Sequence, residues 1–195
     1  MTIAVINSGG ANLSSVQHAL HRLGVDSVLT KNAAIIRAAD RVILPGVGAA
    51  ARAMNALREA MLVEVVQGLT QPVLGICLGL QLLFESSEEG QVDCLGLIPG
   101  RVRKLKAGTG LRLPHMGWNR LEWVSDDPLT RGLGGEEWFY FVHGFAAPVK
   151  HAVAVSEHGQ RFAAIVRRGN FVACQFHPEK SAGAGARILR NFLDS

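Results

Sequence analysis

Pro72-Val73-Leu74-Gly75-Ile76-Cys77-Leu78-Gly79-Leu80-Gln81-Leu82-Leu83-Phe84 is the stretch around which the chain is organised. A proline opens a short apolar run, Val73 to Ile76, that reads as a buried strand. Cys77 follows, with Gly75 and Gly79 two residues to either side, and an apolar run of helical type comes next. Strand, Gly-x-Cys-x-Gly, helix is the pattern of a nucleophile elbow with sulfur in place of a serine hydroxyl. In so tight a turn a Cβ at either glycine would strike the neighbouring strand or helix. The turn would lift Cys77 to the carboxyl edge of a sheet and to a helix N-terminus, where the helix dipole favours a thiolate. A lone cysteine in an apolar run is otherwise ordinary core material. The elbow therefore implies catalysis only if a base stands elsewhere in the chain.

Toward the N-terminus, Ile3 to Ile6 reads as a short strand ending in Asn7-Ser8-Gly9-Gly10-Ala11-Asn12. Asn12 is a candidate cap for a helix whose apolar positions Leu13, Val16, Ala19, Leu20 and Leu23 recur at helical spacing until Gly24. Val25 to Leu29 reads as a second strand, Asn32 to Ala39 as a small helix and Arg41 to Leu44 as a third strand. This β-α-β-α-β rhythm predicts a parallel sheet with helices on its faces. The third strand ends in Pro45-Gly46-Val47-Gly48, before an alanine-rich helix running through Leu57. Such a glycine-flanked loop at a strand's carboxyl end presents free backbone N–H groups, the material of an oxyanion site, although a plain tight turn has the same composition. No Gly-Lys-Ser/Thr follows, so it is not a Walker loop.

Beyond the elbow helix, Glu85-Ser86-Ser87-Glu88-Glu89-Gly90 reads as a polar surface loop. The texture then turns to short β-like runs: Leu97 to Leu105, Arg112 to His115, Asn119 to Val124, Trp138 to Val142, Val149 to Val155, Phe162 to Arg168 and Phe171 to Phe176. Gly169-Asn170 joins a hairpin between the last two. These strands are expected to be antiparallel, extending one edge of the parallel sheet or forming a small appended sheet. Ala182 to Leu193 reads as a closing amphipathic helix.

Seven histidines are candidates for the base. His18 and His21 fall on the polar side of the first helix, and His151 and His158 among turn-like surface residues. His115 and His143 have no acidic residue two positions away and read as structural or pocket-lining. His177 stands in Gln175-Phe176-His177-Pro178-Glu179-Lys180-Ser181, after an apolar run. Pro178 biases it toward extended geometry, in which residues i and i+2 face one side. Glu179 is thus spaced to hold the imidazole in one tautomer and leave its other nitrogen for a thiol proton. That is the base and orienter of a triad, and Cys77 supplies the nucleophile.

The 195 residues suffice for one domain, 1–195, with a sizeable core, and the 48% hydrophobic content and 22 glycines suit a compact α/β protein. Lys and Arg number 20 against 16 Asp and Glu, but they are dispersed. The densest cluster, Arg101-Val102-Arg103-Lys104-Leu105-Lys106, alternates like a half-buried strand, and no aromatic-plus-basic motif indicates nucleic acid. Cys77, Cys94 and Cys174 have no metal-ligand spacing and leave one cysteine out of any disulfide, which points to a reducing compartment. With no targeting segment and no membrane span, the expectation is a soluble cytoplasmic protein without metal or cofactor.

Elbow, glycine loop and His-Pro-Glu together resemble the class I glutamine amidotransferases, whose triad is Cys, His and Glu in that chain order. Pro45-Gly46-Val47-Gly48, Gly75 to Phe84, Pro114-His115-Met116-Gly117-Trp118-Asn119, Phe139-Tyr140-Phe141-Val142-His143 and Gln175 to Ser181 narrow the resemblance to the glutaminase subunits of imidazole glycerol phosphate synthase. Sister glutaminases, such as those of anthranilate synthase and GMP synthetase, commonly carry Pro-Gly-Gly in the oxyanion loop. Two segments depart from the family: Asn7 stands where Asp is usual, and Gly144-Phe145 where Ser or Thr and Tyr are usual.

The resemblance implies a three-layer α/β fold, with a mostly parallel central sheet, helices on both faces and antiparallel strands in the C-terminal half. It implies hydrolysis of the L-glutamine side-chain amide, with Cys77 as nucleophile, His177 as base and Glu179 as orienter. The oxyanion would meet the N–H groups of Leu78 and Val47, the latter turned into place between Gly46 and Gly48 when a partner engages. Gly79, Gln81, His143 and Gly144 are the expected glutamine pocket. The expected partner is a (β/α)8-barrel cyclase in a heterodimer, which takes up the ammonia to make imidazole glycerol phosphate and an aminoimidazole carboxamide ribotide. Asn12, Trp118, Asn119 and Lys180 are the candidate interface. Three other readings stay open: a class I glutaminase serving another acceptor enzyme, a stand-alone Cys-His-Glu hydrolase, and an inactive binding module.

Overall fold

The computed structural model describes residues 1–9, 13–106, 108 and 110–195. Asn12, expected as a helix cap and an interface residue, lies outside the described residues. Strands and helices alternate through the first half: β1 (Ile3–Ile6), α1 (Leu13–Arg22), β2 (Ser27–Thr30), α2 (Ala33–Ala38), β3 (Arg41–Gly46), α3 (Ala50–Glu59), α4 (Val63–Gln67), β4 (Val73–Cys77) and α5 (Leu78–Leu82). The second half is strand-rich: β5 (Phe84–Ser87), β6 (Val92–Asp93), β7 (Ile98–Lys104), β8 (His115–Asn119), β9 (Glu122–Trp123), β10 (Phe139–His143), β11 (Phe145–Ala146), β12 (Ala152–Glu157), β13 (Arg161–Arg168) and β14 (Phe171–Cys174). Helix α6 (Ala182–Leu193) closes the chain.

The main sheet has eight strands in the order β2-β1-β3-β4-β14-β13-β12-β9. From β2 to β14 neighbours are parallel, and from β14 outward they are antiparallel. Both sequence expectations for the later strands therefore occur: some extend the sheet, and others form a β10-β8 ribbon and a smaller β11-β7-β5-β6 sheet. Every residue of β4 is buried, as a central parallel strand covered on both faces requires. Alternate side chains of β1 and β3 serve two apolar layers. Ala4, Ile6, Val42 and Leu44 pack with Ala53, Met54 and Leu57 of α3, while Ile3, Val5 and Ile43 pack with Val16 and Leu20 of α1 and Ile188 and Phe192 of α6.

This order places the chemistry. β14 leaves the antiparallel half and inserts beside β4, pairing Cys174 with Ile76, while β3 on the other side pairs Gly46 with Cys77. The segments that follow β3, β4 and β14 therefore emerge side by side at one carboxyl edge, where open α/β sheets bind their ligands.

Four expectations are corrected. Glu85 to Gly90 is not simply a polar surface loop, since Phe84–Ser87 is β5 and Ser87 is fully buried. Its carboxylates serve backbone donors: Glu85 accepts from Gly100 N–H at 2.9 Å, Glu88 from Lys104 N–H at 2.9 Å and Glu89 from Ala50 N–H at 2.8 Å. The run expected over Arg112 to His115 begins as a strand only at His115, because β8 takes its register from β10. Val149–His151 is a 3-10 turn before β12. The extended stretch expected from His177 to Glu179 stops at His177, because Pro178–Lys180 turns into a 3-10 helix with His177 at its N-cap. Helix α4, of five residues, is an element that no sequence signal marked. Among the described residues no helix is long and apolar enough to cross a membrane.

Candidate active site

Cys77 adopts φ 53° and ψ −104° at the junction of β4 and α5, a conformation costing about 1–3 kcal/mol for a residue with a Cβ. The surroundings enforce it. A Cβ on Gly79 would stand 1.8 Å from Leu44 O, and one on Gly75 would stand 2.9 Å from Ala173 Cβ. Gly46 is equally constrained, since a Cβ there would lie 2.9 Å from Leu78 Cβ. These glycines let three strands and a helix close around the elbow; Gly46 and Gly79 are packing positions beneath the site.

His177 reaches the elbow from β14. Its backbone N–H donates to Tyr140 O at 2.8 Å, which ties the segment to β10. The Ser181 hydroxyl strengthens the tie, donating to His177 O at 2.7 Å and accepting from Tyr140 N–H at 2.9 Å. His177 Nδ1 lies 2.8 Å from Glu179 Oε1, with the two side chains 3% and 0% exposed, so the carboxylate fixes the tautomer and leaves Nε2 for the hydrogen bond with Cys77. Burial opposes charging this imidazole, but the hydrogen bonds to Cys77 and Glu179, together with their charges, outweigh it and raise its pKa. The imidazolium form is thus the favoured one beside the sulfur. Burial pushes the Cys94 thiol up to about 11 and the Cys174 thiol well above its ordinary value.

A cavity of about 180 Å³ opens on Cys77 and His177. Val47 and Gly48 line one side, Leu78 and Gln81 the elbow side, and His143 and Gly144 the wall formed by the turn after β10, with Lys180 at the rim. The structure thus brings together nine of the residues expected from sequence, and Glu179 stands behind His177. Gly48 has φ +101°, a backbone state that glycine tolerates.

His143 and Gln81 reach the cavity with the ring nitrogens of one and the amide hydrogens of the other already engaged. His143 Nδ1–H donates to Phe145 O at 2.8 Å, and its Nε2 is 3.1 Å from His115 Nδ1. Both amide hydrogens of Gln81 are held, by Phe145 O at 2.9 Å and Gln175 Oε1 at 3.0 Å. Burial lowers the pKa of His143 to about 4 and that of His115 to about 3, so both are neutral at ordinary pH. His158, expected at the surface, stacks on His115 with ring centroids 4.1 Å apart.

The interface candidates lie on the neighbouring β8–β10 ribbon. Alternation along β8 turns Met116 and Trp118 outward, 64% and 50% exposed, and His115 inward. Trp118 meets Tyr140 edge-on at 5.7 Å, and Lys180 Nζ stands 5.9 Å above the same ring. Asn119 faces the other way and donates to Glu157 O at 2.8 Å, so its amide is used within the chain. Gln175 and Ser181, both buried at the site, carry no signal of a role in the motif itself; only their tertiary neighbours reveal one. Among the described residues no group of three or more His, Cys, Asp or Glu could hold a metal ion.

The sequence model of the family "Glutamine amidotransferase class-I" matches residues 4–195. The "Imidazole glycerol phosphate synthase subunit HisH" of Xanthomonas axonopodis pv. citri (strain 306) is 56% identical over 193 residues, 98% of this chain and 96% of the relative. The protein of the same description from Idiomarina loihiensis is 50% identical over 195 residues, covering 100% of this chain and 98% of the relative. Among solved structures, a putative GMP synthase protein from Thermoplasma acidophilum superposes with a TM-score of 0.75 at 22% identity, covering 100% of this chain and 92% of that one. The glutaminase domain of Trypanosoma brucei CTPS superposes with a TM-score of 0.69 at 15% identity, covering 100% of this chain and 94% of that one. Both likenesses are of fold.

Proposed function

The chain belongs to the class I glutamine amidotransferases, and from that premise we propose that Cys77, His177 and Glu179 carry out its glutaminase reaction. The chain acts as the glutaminase subunit of imidazole glycerol phosphate synthase, releasing ammonia from L-glutamine. The observation that carries the site assignment is the buried line from Glu179 Oε1, 2.8 Å from His177 Nδ1, to a Cys77 held at φ 53° on the cavity floor.

In this reading the Cys77 thiolate attacks the side-chain carbonyl carbon of glutamine, and the oxygen takes the negative charge. The N–H groups of Leu78 and Val47 receive it, each such donor contributing roughly 3 kcal/mol to the transition state. As the C–N bond breaks, His177 gives its proton to the nitrogen and ammonia leaves. Water then yields a proton to His177 as its oxygen attacks the γ-glutamyl thioester. The C–S bond breaks, glutamate forms, and the thiolate–imidazolium pair is restored. Glu179 holds the imidazole in place and stabilises its charged form.

The relatives' description as a subunit implies a second chain. The partner in this proposal is a (β/α)8-barrel cyclase, which receives the ammonia from Cys77; the lyase chemistry belongs to that partner. The outward face of Met116 and Trp118, with Lys180 at the cavity rim, is the surface offered to it. Glutamine turnover of the purified chain, with and without the cyclase, tests the reading. Low basal turnover, strong stimulation by the cyclase and loss in Cys77→Ala are expected. High basal turnover indifferent to the cyclase would instead indicate a stand-alone hydrolase.

A further inference from the structure

A line of buried hydrogen bonds, separate from the His177–Glu179 pair, ends on the nucleophile's sulfur. Its anchor is Phe145 O, which as a carbonyl only accepts. It accepts His143 Nδ1–H at 2.8 Å and one amide hydrogen of Gln81 at 2.9 Å. The second amide hydrogen of Gln81 goes to Gln175 Oε1 at 3.0 Å. With its oxygen so held, Gln175 has its amino group directed at Cys77, with Nε2 3.6 Å from Sγ. The orientation of both amides follows from the carbonyl at the start of the line, because reversing either would set like ends against each other. Gln175 is 0% exposed, so its N–H groups meet protein partners rather than bulk water.

We infer that Gln175 is a catalytic hydrogen-bond donor to the Cys77 sulfur, selective for its thiolate form; this rests on Cys77 being the nucleophile. A neutral thiol is a weak acceptor, whereas a thiolate makes a charge-assisted bond about twice as strong as a neutral one. The thiol form has another outlet, since Cys77 Sγ stands 3.7 Å from Val142 O and donates its hydrogen there. Gln175 thus favours loss of that hydrogen, and it favours the sulfur again as leaving group when the thioester is hydrolysed. His177 receives the proton; Gln175 only donates a hydrogen bond and is unchanged at the end.

The test is the pH dependence of Cys77 alkylation by iodoacetamide, read by mass spectrometry on the full chain. It needs no glutamine turnover. Gln175→Leu removes the donor, and its expected effect is a midpoint raised by about one pH unit, with alkylation slowed up to about tenfold at pH values below the wild-type midpoint. Cys94 should label at the wild-type rate. An unchanged Cys77 midpoint in folded Gln175→Leu overturns the inference. Gln175→Glu keeps the shape and the acceptor for Gln81 but sets a carboxylate against the sulfur, so its midpoint should rise at least as far. It decides the matter if Gln175→Leu fails to fold, and a Gln175→Glu midpoint at or below wild type overturns the inference. Should Cys77→Ala retain glutaminase activity, the nucleophile assignment falls instead, a result separable from any alkylation midpoint.

Discussion

Glu179 shows what one side chain contributes at this site. Its carboxylate lies 2.8 Å from His177 Nδ1 with both groups buried, where a charge-assisted hydrogen bond is strong. Glu179→Gln keeps an oxygen for the N–H but removes the charge that favours imidazolium. Its kcat should fall about ten- to a hundredfold, less than in Cys77→Ala, measured with the partner present; equal losses would mean that Glu179 does more than orient. The same substitution should move the alkaline limb of the pH–rate profile downward. The active pair needs His177 protonated, and removing a group that raises its pKa makes that proton leave at lower pH. Ser181 acts on the backbone of the same segment through bonds of 2.7 and 2.9 Å. Ser181→Ala should cost about 1–3 kcal/mol in a urea titration, because Tyr140 N–H loses its partner.

At the scale of elements, close approaches fix where the triad segments lie. Helix α6 packs against the turn that carries Glu179, and a Cβ at Gly185 would come 1.9 Å from Pro178 O and 2.8 Å from Ser181 Cβ. Gly185→Ala improves helix propensity by about 1 kcal/mol, yet it must push α6 away from that turn. Glutaminase kcat should drop at least tenfold, whatever happens to Tm. A variant with full activity would show that α6 does not hold Glu179 in place. The β8–β10 ribbon has the opposite character, packed on one face and open on the other. Trp118→Ala should leave Tm within about 1 °C, since the ring is half exposed. Its affinity for the cyclase should fall about tenfold by calorimetry, in keeping with a rim-to-core aromatic anchor; unchanged affinity would place the interface elsewhere.

For the whole molecule, the buried histidines tie stability to pH. His143 and His115 titrate at about 4 and about 3 in the folded chain, below the ordinary 6.5. As pH falls below 6.5 the unfolded chain takes up these protons first, so stability declines from there toward the folded values. Each histidine adds a slope of at most about 1.4 kcal/mol per pH unit. His115→Phe should flatten the dependence of the urea midpoint between pH 6.5 and 4, while the carboxylates titrate alike in both proteins. An unaltered slope would mean that His115 is protonated inside the fold.

The sequence by itself determined the elbow, the parallel first half and the His-Pro-Glu segment, because each rests on local rules. Gly75 and Gly79 must flank a turn that admits no Cβ, apolar periodicity separates strand from helix, and Pro178 keeps His177 itself extended. The pairing of His177 with Glu179 is as expected, but Glu179 reaches the imidazole from a 3-10 turn and not from an extended stretch. Even α6 has the expected bounds, Ala182 to Leu193, since its amphipathic pattern is uninterrupted. What periodicity leaves open is register and neighbourhood. Glu85 to Gly90 has the composition of a loop, but β5 forms there because β7 offers a ladder and the glutamates find backbone donors. The insertion of β14 beside β4, almost a hundred positions away in sequence, is decided only by packing. That insertion brings His177 to Cys77 and points Gln175 at the sulfur. A motif names the groups that react; the long-range hydrogen bonds that aim them, from Phe145 O through Gln81 to Gln175, exist only once the chain has closed.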